Sequence, residues 1–166
     1  NTLHGNGGND AIFGTAGSNF LIGGSGNDTL YTGTGVDRYD GGDASIVTAS
    51  GTIHYAGSTN HGNNTISFYY SGSAVNVDLG YNNGDGTTGR VLNDGYGNVE
   101  TTIISIENLA GTLDYGDTLV GDNNNNKIYG YGGADTLSGL GGVDTLYGGD
   151  GNDKLTTGEG AGDVAF

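Results

Sequence analysis

Apolar residues in this chain come singly, and they are spaced too widely for a helix and too regularly for a disordered coil. Runs of glycine, asparagine and aspartate are interrupted by triplets such as Ala11-Ile12-Phe13, Thr29-Leu30-Tyr31 and Thr136-Leu137-Ser138. Alternation over three residues predicts a very short strand, its central side chain on one face and its neighbours on the other. The glycine-rich stretches between strands can enter φ > 0 and turn tightly, which residues carrying a Cβ do only at a cost.

The spacing is a nine-residue repeat. Gly5–Phe13, Gly14–Ile22, Gly23–Tyr31 and Thr32–Asp40 are four consecutive units, and Gly121–Tyr129, Gly130–Ser138, Gly139–Tyr147 and Gly148–Thr156 are four more. The first and fourth positions are each glycine in seven of the eight. The sixth is always Asp or Asn: Asp10, Asn19, Asp28, Asp37, Asn126, Asp135, Asp144 and Asp153. The eighth is always aliphatic or tyrosine: Ile12, Leu21, Leu30, Tyr39, Ile128, Leu137, Leu146 and Leu155. Partial units, Asn1-Thr2-Leu3-His4 and Asp117-Thr118-Leu119-Val120, precede both arrays. One apolar residue in nine cannot make a core unless coils stack, so that Leu30 packs on its counterparts at a strand spacing of roughly 4.8 Å. The expected fold is all-β, a parallel β-roll or β-solenoid with an aliphatic ladder inside.

Composition sharpens this picture. Of 166 residues 37 are glycine, a share that with high net charge ordinarily signals disorder, but proline is absent, tyrosine numbers 11 and the glycines are periodic. Without cysteine there is no disulfide, thiol catalysis or Cys-ligated zinc. Four basic residues against 19 acidic ones, a net charge of -15, cannot form a phosphate-binding footprint, which argues against nucleic acid. No apolar run is long enough to span a bilayer. The chain starts at Asn1 with neither a methionine nor a signal-like segment, as expected of an internal or processed piece of something longer.

The acidic excess becomes a structural problem once coils stack. With two units per coil, residues 18 apart superpose: Asp10 on Asp28, Asp117 on Asp135 on Asp153, and Asn126 on Asp144. Two unit charges about 5 Å apart repel by several kcal/mol at an effective dielectric near 20. Such a column calls for cations between the coils. Oxygen-only ligands on flexible turns suit a hard ion, and Ca²⁺ with its 6–8 oxygens fits better than Mg²⁺.

Gly23-Gly24-Ser25-Gly26-Asn27-Asp28-Thr29-Leu30-Tyr31 resembles, position for position, the G-G-x-G-x-D-x-U-x nonapeptide of the RTX (repeats-in-toxin) calcium-binding proteins. The resemblance implies a β-roll with each Ca²⁺ between turns two units apart. Positions two, four and six of one unit would meet positions one, three and six of the unit 18 residues on. Carried over, Asn6, Gly8 and Asp10 would share an ion with Gly23, Ser25 and Asp28, and Thr15, Gly17 and Asn19 with Thr32, Thr34 and Asp37. In the second array Leu113, Tyr115 and Asp117 would pair with Gly130, Gly132 and Asp135. Asp122, Asn124 and Asn126 would pair with Gly139, Gly141 and Asp144, and Tyr131, Gly133 and Asp135 with Gly148, Asp150 and Asp153. That implies roughly five to seven ions, whose charge approaches the formal deficit. Asn19 and Asn126 offer a neutral oxygen in place of a carboxylate, so their sites should bind more weakly. Either Gly162 or Asp163 takes the sixth position of the last unit. Asp163 is preferred, with Ala165 and Phe166 beginning the next strand.

Three regions follow: arrays at 1–43 and 112–166, and an intervening segment at 44–111 that loses the nonapeptide but stays β-rich. Its candidate strands are Ile46–Ala49, Thr52–Tyr55, Thr65–Ser71, Ala74–Leu79, Gly89–Leu92 and Val99–Ile106, with Asn82-Asn83-Gly84-Asp85-Gly86 as a turn. Wider coils with a protruding hairpin, or a small inserted β-domain, both satisfy this pattern. Asp43, after Gly41-Gly42, sits where the first array dissolves.

Catalytic readings find little support. His4, His54 and His61 lie in no zinc spacing, and solvent-facing histidines are expected. Asp78, Asp94, Glu100 and Glu107 form no glycosidase pair by spacing alone, and neither a nucleophile elbow nor a phosphate loop is present. Tyr129 and Tyr147, with Tyr31 equivalent in the first array, should stack on an outward face, either as cross-strand packing or as a contact for carbohydrate or another subunit. Tyr131 and Leu140 occupy turn positions where glycine is usual. The expected function is a calcium-binding module without a catalytic centre. The resemblance implies a structural, secretion-coupled part of a larger extracellular or cell-surface bacterial protein, exported by type I secretion. The alternative is a self-assembling subunit of a calcium-dependent filament, surface layer or adhesin, with an autonomous enzyme last.

Overall fold

A computed structural model of the chain describes residues 1–42, 62–82, 88–98 and 103–166. The triplets become strands and the strands stack. The first array forms β1 (Thr2–Gly7), β2 (Ala11–Phe13), β3 (Phe20–Ser25), β4 (Thr29–Tyr31) and β5 (Arg38–Asp40). The middle supplies β6 (Thr65–Ser67), β7 (Asn76–Asn82), β8 (Thr88–Asn93), β9 (Ile103–Ile104) and β10 (Asn108–Ala110). The second array adds β11 (Thr118–Val120), β12 (Lys127–Gly132), β13 (Thr136–Ser138), β14 (Thr145–Asp150), β15 (Lys154–Thr156) and β16 (Val164–Ala165). Among the described residues no helix is long and apolar enough to cross a membrane.

One seven-stranded parallel sheet, β2-β4-β6-β10-β12-β14-β16, runs through both arrays and the segment between them. The opposite face is divided into β1-β3-β5-β9 and β15-β13-β11-β7-β8, and β8 lies against β9 where the two meet. The protein is a β-solenoid of about seven turns, as the period predicts. Within each array the register steps by 18 residues, for example Leu3 to Leu21 to Tyr39 and Leu119 to Leu137 to Leu155, except for the last step, Leu146 to Ala165, which spans one residue more. Across the middle the same ladder is kept by longer steps, Leu30 to Ile66 to Leu109 to Ile128.

The eighth-position side chains form the core. Leu21, Leu30, Tyr39, Leu119, Ile128, Leu137 and Leu146 have no exposed surface, and Ile66, Ile103 and Leu109 fill the same ladder from the middle segment. Each such side chain contributes about 1.5–3 kcal/mol by leaving water. Phe68, Val75, Val77, Leu79, Val91 and Ile106 widen this core where the two smaller sheets meet.

Several elements differ from the sequence reading. The middle contains a parallel strand, β10, that alternation does not mark, because Asn108–Ala110 is buried at every residue. The strand expected at Thr65–Ser71 ends at Ser67, and Phe68 turns into the core. The last strand is Val164–Ala165, one residue earlier than expected. β7 and β8 pair antiparallel, with Asp78 opposite Arg90, whose guanidinium lies 3.9 Å from the centre of the Tyr81 ring. The candidate strands at Ile46–Ala49 and Thr52–Tyr55, with Asp43, His54, His61, Glu100 and most of the Asn82–Gly86 turn, lie outside the described residues. Strand pairing also runs further into the glycine turns than expected: β1 pairs with β3 as far as Gly7 with Ser25, and β12 with β14 as far as Gly132 with Asp150.

The outward tyrosines of the long sheet stack as expected and extend into an aromatic row. Tyr129 and Tyr147 lie 4.9 Å apart and nearly parallel, and Tyr147 stacks on Phe166 at 5.1 Å. Phe13 and Tyr31 stack at 4.4 Å, and Tyr70, Tyr69 and Tyr131 join the two stacks by tilted and edge-on contacts. Because the stacked rings cover one another's faces, the row serves cross-strand packing.

Three second positions of the turn are left-handed even without glycine: Asn6 and Tyr131 at φ 74° and Leu140 at φ 72°. This conformation costs an L-residue roughly 1–2 kcal/mol. Leu137→Ala should therefore lower the unfolding free energy in calcium by about 2–5 kcal/mol. Leu140→Gly, at an exposed strained corner, should leave it unchanged or raise it by about 1 kcal/mol. Urea unfolding of both variants checks the pair.

Candidate metal centre

At each corner the sixth residue follows a glycine turn and precedes a strand, so its side chain falls between coils. Along the long sheet these residues form one column: Asp10, Asp28, Asn64, Glu107, Asn126, Asp144 and Asp163, each immediately before its strand. One side-chain oxygen accepts the main-chain N–H of the residue one coil back. Asp28 Oδ1 takes Asp10 N at 2.9 Å, Asn64 Oδ1 takes Asp28 N at 3.0 Å, and Glu107 Oε2 takes Asn64 N at 2.7 Å. Asp144 and Asp163 do the same for Asn126 N and Asp144 N at 2.9 and 3.0 Å. Asp163, not Gly162, therefore stands at the sixth position. On the other face Asp37 serves Asn19, Asp117 serves Val75, Asp135 serves Asp117, and Asp153 serves Asp135, at 2.7–2.9 Å.

The second oxygens are treated differently. Oδ2 of Asp10, Asp28, Asp135 and Asp144 is buried and accepts no hydrogen bond from the described residues. A buried carboxylate oxygen without a partner is costly. Each faces a first-position glycine, and a carbonyl from the unit 18 residues on borders the same space. A Cβ on Gly5 would lie 2.5 Å from both Asp10 Oδ2 and Gly23 O, and one on Gly23 2.5 Å from Asp28 Oδ2 and 2.6 Å from Gly41 O. On Gly130 it would strike Asp135 Oδ2 and lie 2.6 Å from Gly148 O, and on Gly139 it would strike Asp144 Oδ2 and lie 2.6 Å from Thr157 O. Glycine is required here because a methyl group would fill an oxygen-lined cradle.

The structure thus brings together the sixth- and first-position partners in four of the five inferred sets: Asp10 with Gly23, Asp117 with Gly130, Asn126 with Gly139, and Asp135 with Gly148. Second- and fourth-position carbonyls turn along the axis toward the next coil, Asn6 toward Gly24, Gly8 toward Gly26, Tyr131 toward Gly149 and Gly133 toward Gly151. Leu113, Tyr115 and Asn124 do likewise toward Gly132, Gly133 and Gly142. Third-position carbonyls already serve the fold, since Ser25 O accepts Gly8 N at 2.8 Å and Asp150 O accepts Gly133 N at 2.9 Å. Asp117 is better satisfied than its neighbours: its Oδ2 takes Thr112 N at 2.6 Å and the Thr112 hydroxyl at 3.0 Å. In the fifth set the sixth- and first-position partners are not paired in this way: the space beside Gly14 is bordered by Gly33 N and Asp37 Oδ2.

This donor set fits a hard cation. Among the described residues no three His, Cys, Asp or Glu side chains gather, so an ion between coils would be held by one or two carboxylates and several carbonyls, as Ca²⁺ prefers. The electrostatics agree, with one change of emphasis. Asp135 is pushed up to about 6 by burial first and by the charges of Asp117 and Asp153 second, against the hydrogen bond from Asp117 N. Burial also leads at Asp28, Asp117 and Asp144, with the charge of Asp10 adding at Asp28 and those of Asp163 and Asp122 at Asp144. Loss of water therefore outweighs mutual repulsion in making these carboxylates resist ionisation.

Two column members, Asn64 and Glu107, escape the repeat. Their signal is position, one residue before a buried strand, while their spacing from Asp28 is 36 and 79 residues instead of 18. The fifth position carries a second device: Asn9, Asn27 and Asn125 each accept, through Oδ1, the N–H of Asn27, Asn63 and Val143 at 2.7–2.9 Å. Two of the carboxylates weighed for catalysis, Asp94 and Glu107, have structural partners. Asp94 accepts Tyr96 N and Asn98 N at 2.9 Å each, and burial together with Asp122 holds the Glu107 carboxyl above its usual range. His4 is exposed, and its Nδ1 accepts Asn6 N at 2.9 Å.

A family model described as the RTX calcium-binding nonapeptide repeat matches the chain four times, at residues 1–21, 13–44, 112–146 and 130–164, which together exceed half its length. No curated protein matches it.

Between pH 4 and about 6, native Asp135 holds its proton while the unfolded aspartate, near 3.8, has largely lost it. The native state binds more protons there, so without metal its stability falls as pH rises through this window and stays low above it. In chelator, β-content measured by circular dichroism should rise as pH is lowered from neutral through this window. Asp135→Asn should flatten that pH dependence and weaken calcium binding.

Proposed function

The chain belongs to the family of RTX calcium-binding nonapeptide-repeat proteins, and from that premise we propose that this calcium-binding structural module folds when Ca²⁺ enters its corners. The observation that carries this reading is the set of buried carboxylate oxygens, at Asp10, Asp28, Asp135 and Asp144, that no group among the described residues satisfies. Bound Ca²⁺ would neutralise them. The chain's own part is to hold one oxygen of each carboxylate on a main-chain N–H, so that the other stays aimed between coils. The first-position glycines keep that space open, and the second- and fourth-position carbonyls are turned toward the next coil.

Each ion that binds the folded form alone adds about 2.7 kcal/mol at a concentration of about 100 times its dissociation constant. Several such sites convert a chain too polar to fold into a stable solenoid. We read residues 1–43 and 112–166 as the ion-holding arrays and 44–111 as the segment that joins them. In low cytosolic calcium the acidic chain would remain extended, and outside the cell it would fold. That suits a structural part of a larger secreted or surface-exposed bacterial protein, with any catalysis on another domain.

Circular dichroism in chelator and in millimolar calcium tests the coupling. A disordered spectrum in chelator and a β-spectrum in calcium are expected, with Asp135→Ala damaging the transition more than Asn126→Ala. Equal β-content in both buffers would overturn the reading. Calcium-dependent growth of light scattering with protein concentration would instead favour the self-assembling subunit.

A further inference from the structure

Asn19 differs from every other sixth-position residue in what it does with its side chain. It is 3% exposed, and its amide nitrogen donates to Thr15 O at 2.8 Å, Gly17 O at 2.7 Å and Asp37 Oδ1 at 2.9 Å. These three acceptors are the second-, fourth- and sixth-position oxygens that the repeat sets aside for an ion. The orientation of the amide is set by its surroundings: three acceptors ring the nitrogen, while donors, the Thr15 hydroxyl and Asn1 Nδ2, approach Oδ1 at 3.3 Å each.

A second feature points the same way. At the other assembled corners a carbonyl borders the first-position glycine, but at Gly14 that place is taken by Gly33 N, which donates to Asp37 Oδ2 at 3.1 Å. Both oxygens of Asp37 thus accept N–H groups from within the chain. Asn126 shows that asparagine alone does not cause this. Its nitrogen goes to Glu107 O at 2.7 Å and Asp122 Oδ1 at 3.2 Å, and its Oδ1 still shares the cradle beside Gly121 with Gly139 O.

We propose that the Asn19 corner closes without metal, its side-chain NH₂ standing where an ion sits at the other corners. This inference rests on the calcium reading of those corners. An amide brings two N–H donors but no net charge; shared among the two carbonyls and Asp37 Oδ1, which also takes the Asn19 main-chain N–H, they fill the corner without requiring a second carboxylate. The first array then contains one coil-to-coil joint whose geometry is independent of calcium. Replacing the amide by a carboxylate reverses the balance: Thr15 O, Gly17 O, Asp37 Oδ1 and the new oxygens would surround a point with no donor, which is a cation site.

The test counts ions bound to the full 166-residue chain by native mass spectrometry in calcium, for the unchanged protein, Asn19→Asp and Asn19→Ala. Asn19→Asp should bind one ion more than the unchanged chain, and Asn19→Ala the same number. In the calcium-loaded protein, backbone amides of the 15–19 turn should keep their hydrogen-exchange protection as calcium is lowered longer than those of the Asp135 corner. In Asn19→Asp that protection should become calcium-dependent. A count that falls by one in Asn19→Ala, or does not rise in Asn19→Asp, overturns this inference while leaving the calcium reading intact. A count of zero in the unchanged chain overturns both. If Asn19→Ala disturbs folding, Asn19→Asp and the exchange measurement decide.

Discussion

The structure depends on how a buried carboxylate is completed. At the corners of the solenoid, Asp28, Asp135 and Asp144 each give one oxygen to the main-chain N–H of the previous coil and hold the other in a buried space that no donor among the described residues reaches. The first bond fixes the coil-to-coil register. The second oxygen leaves a debt of solvation that the chain does not meet itself. Burial, more than repulsion between stacked charges, makes those groups hard to ionise, and a cation between coils answers both.

The remainder of the fold is built so that this arrangement can repeat. A single aliphatic residue per unit is sufficient because each is fully enclosed by its neighbours one coil away, as Leu30 is between Ile12 and Ile66. Glycine at the first position leaves room beside the carboxylate, and left-handed residues at several second positions, among them Asn6 and Gly24, accompany a carbonyl turned toward the next coil. Where bulkier residues take that place, at Tyr131 and Leu140, the backbone keeps the same left-handed conformation. Corner geometry thus overrides local preference.

The middle segment keeps the ladder while abandoning the motif. Ile66 and Leu109 continue the core, and Asn64 and Glu107 continue the column of corner side chains, on coils of unequal length. Corner chemistry varies along that column and on the opposite face. Asp28 and Asp144 leave one oxygen unsatisfied, Asp117 is capped by Thr112, and Asn19 completes its corner with its own amide. One backbone framework therefore accommodates ion-demanding and self-sufficient joints side by side.

The nine-residue period by itself determined the strands of both arrays, the inward side chains from Ile12 to Leu155, the 18-residue register and the acidic corners. All of these follow from local alternation and from the need of isolated apolar residues to stack. It did not reveal β10, Asn64 or Glu107, because their partners lie at irregular separations and a buried strand has no alternation to detect. Nor could spacing say which corner oxygens are left over. That is settled by which N–H groups reach each carboxylate once coils are in contact, and by the turn of one amide at Asn19, both of which exist only in the folded stack.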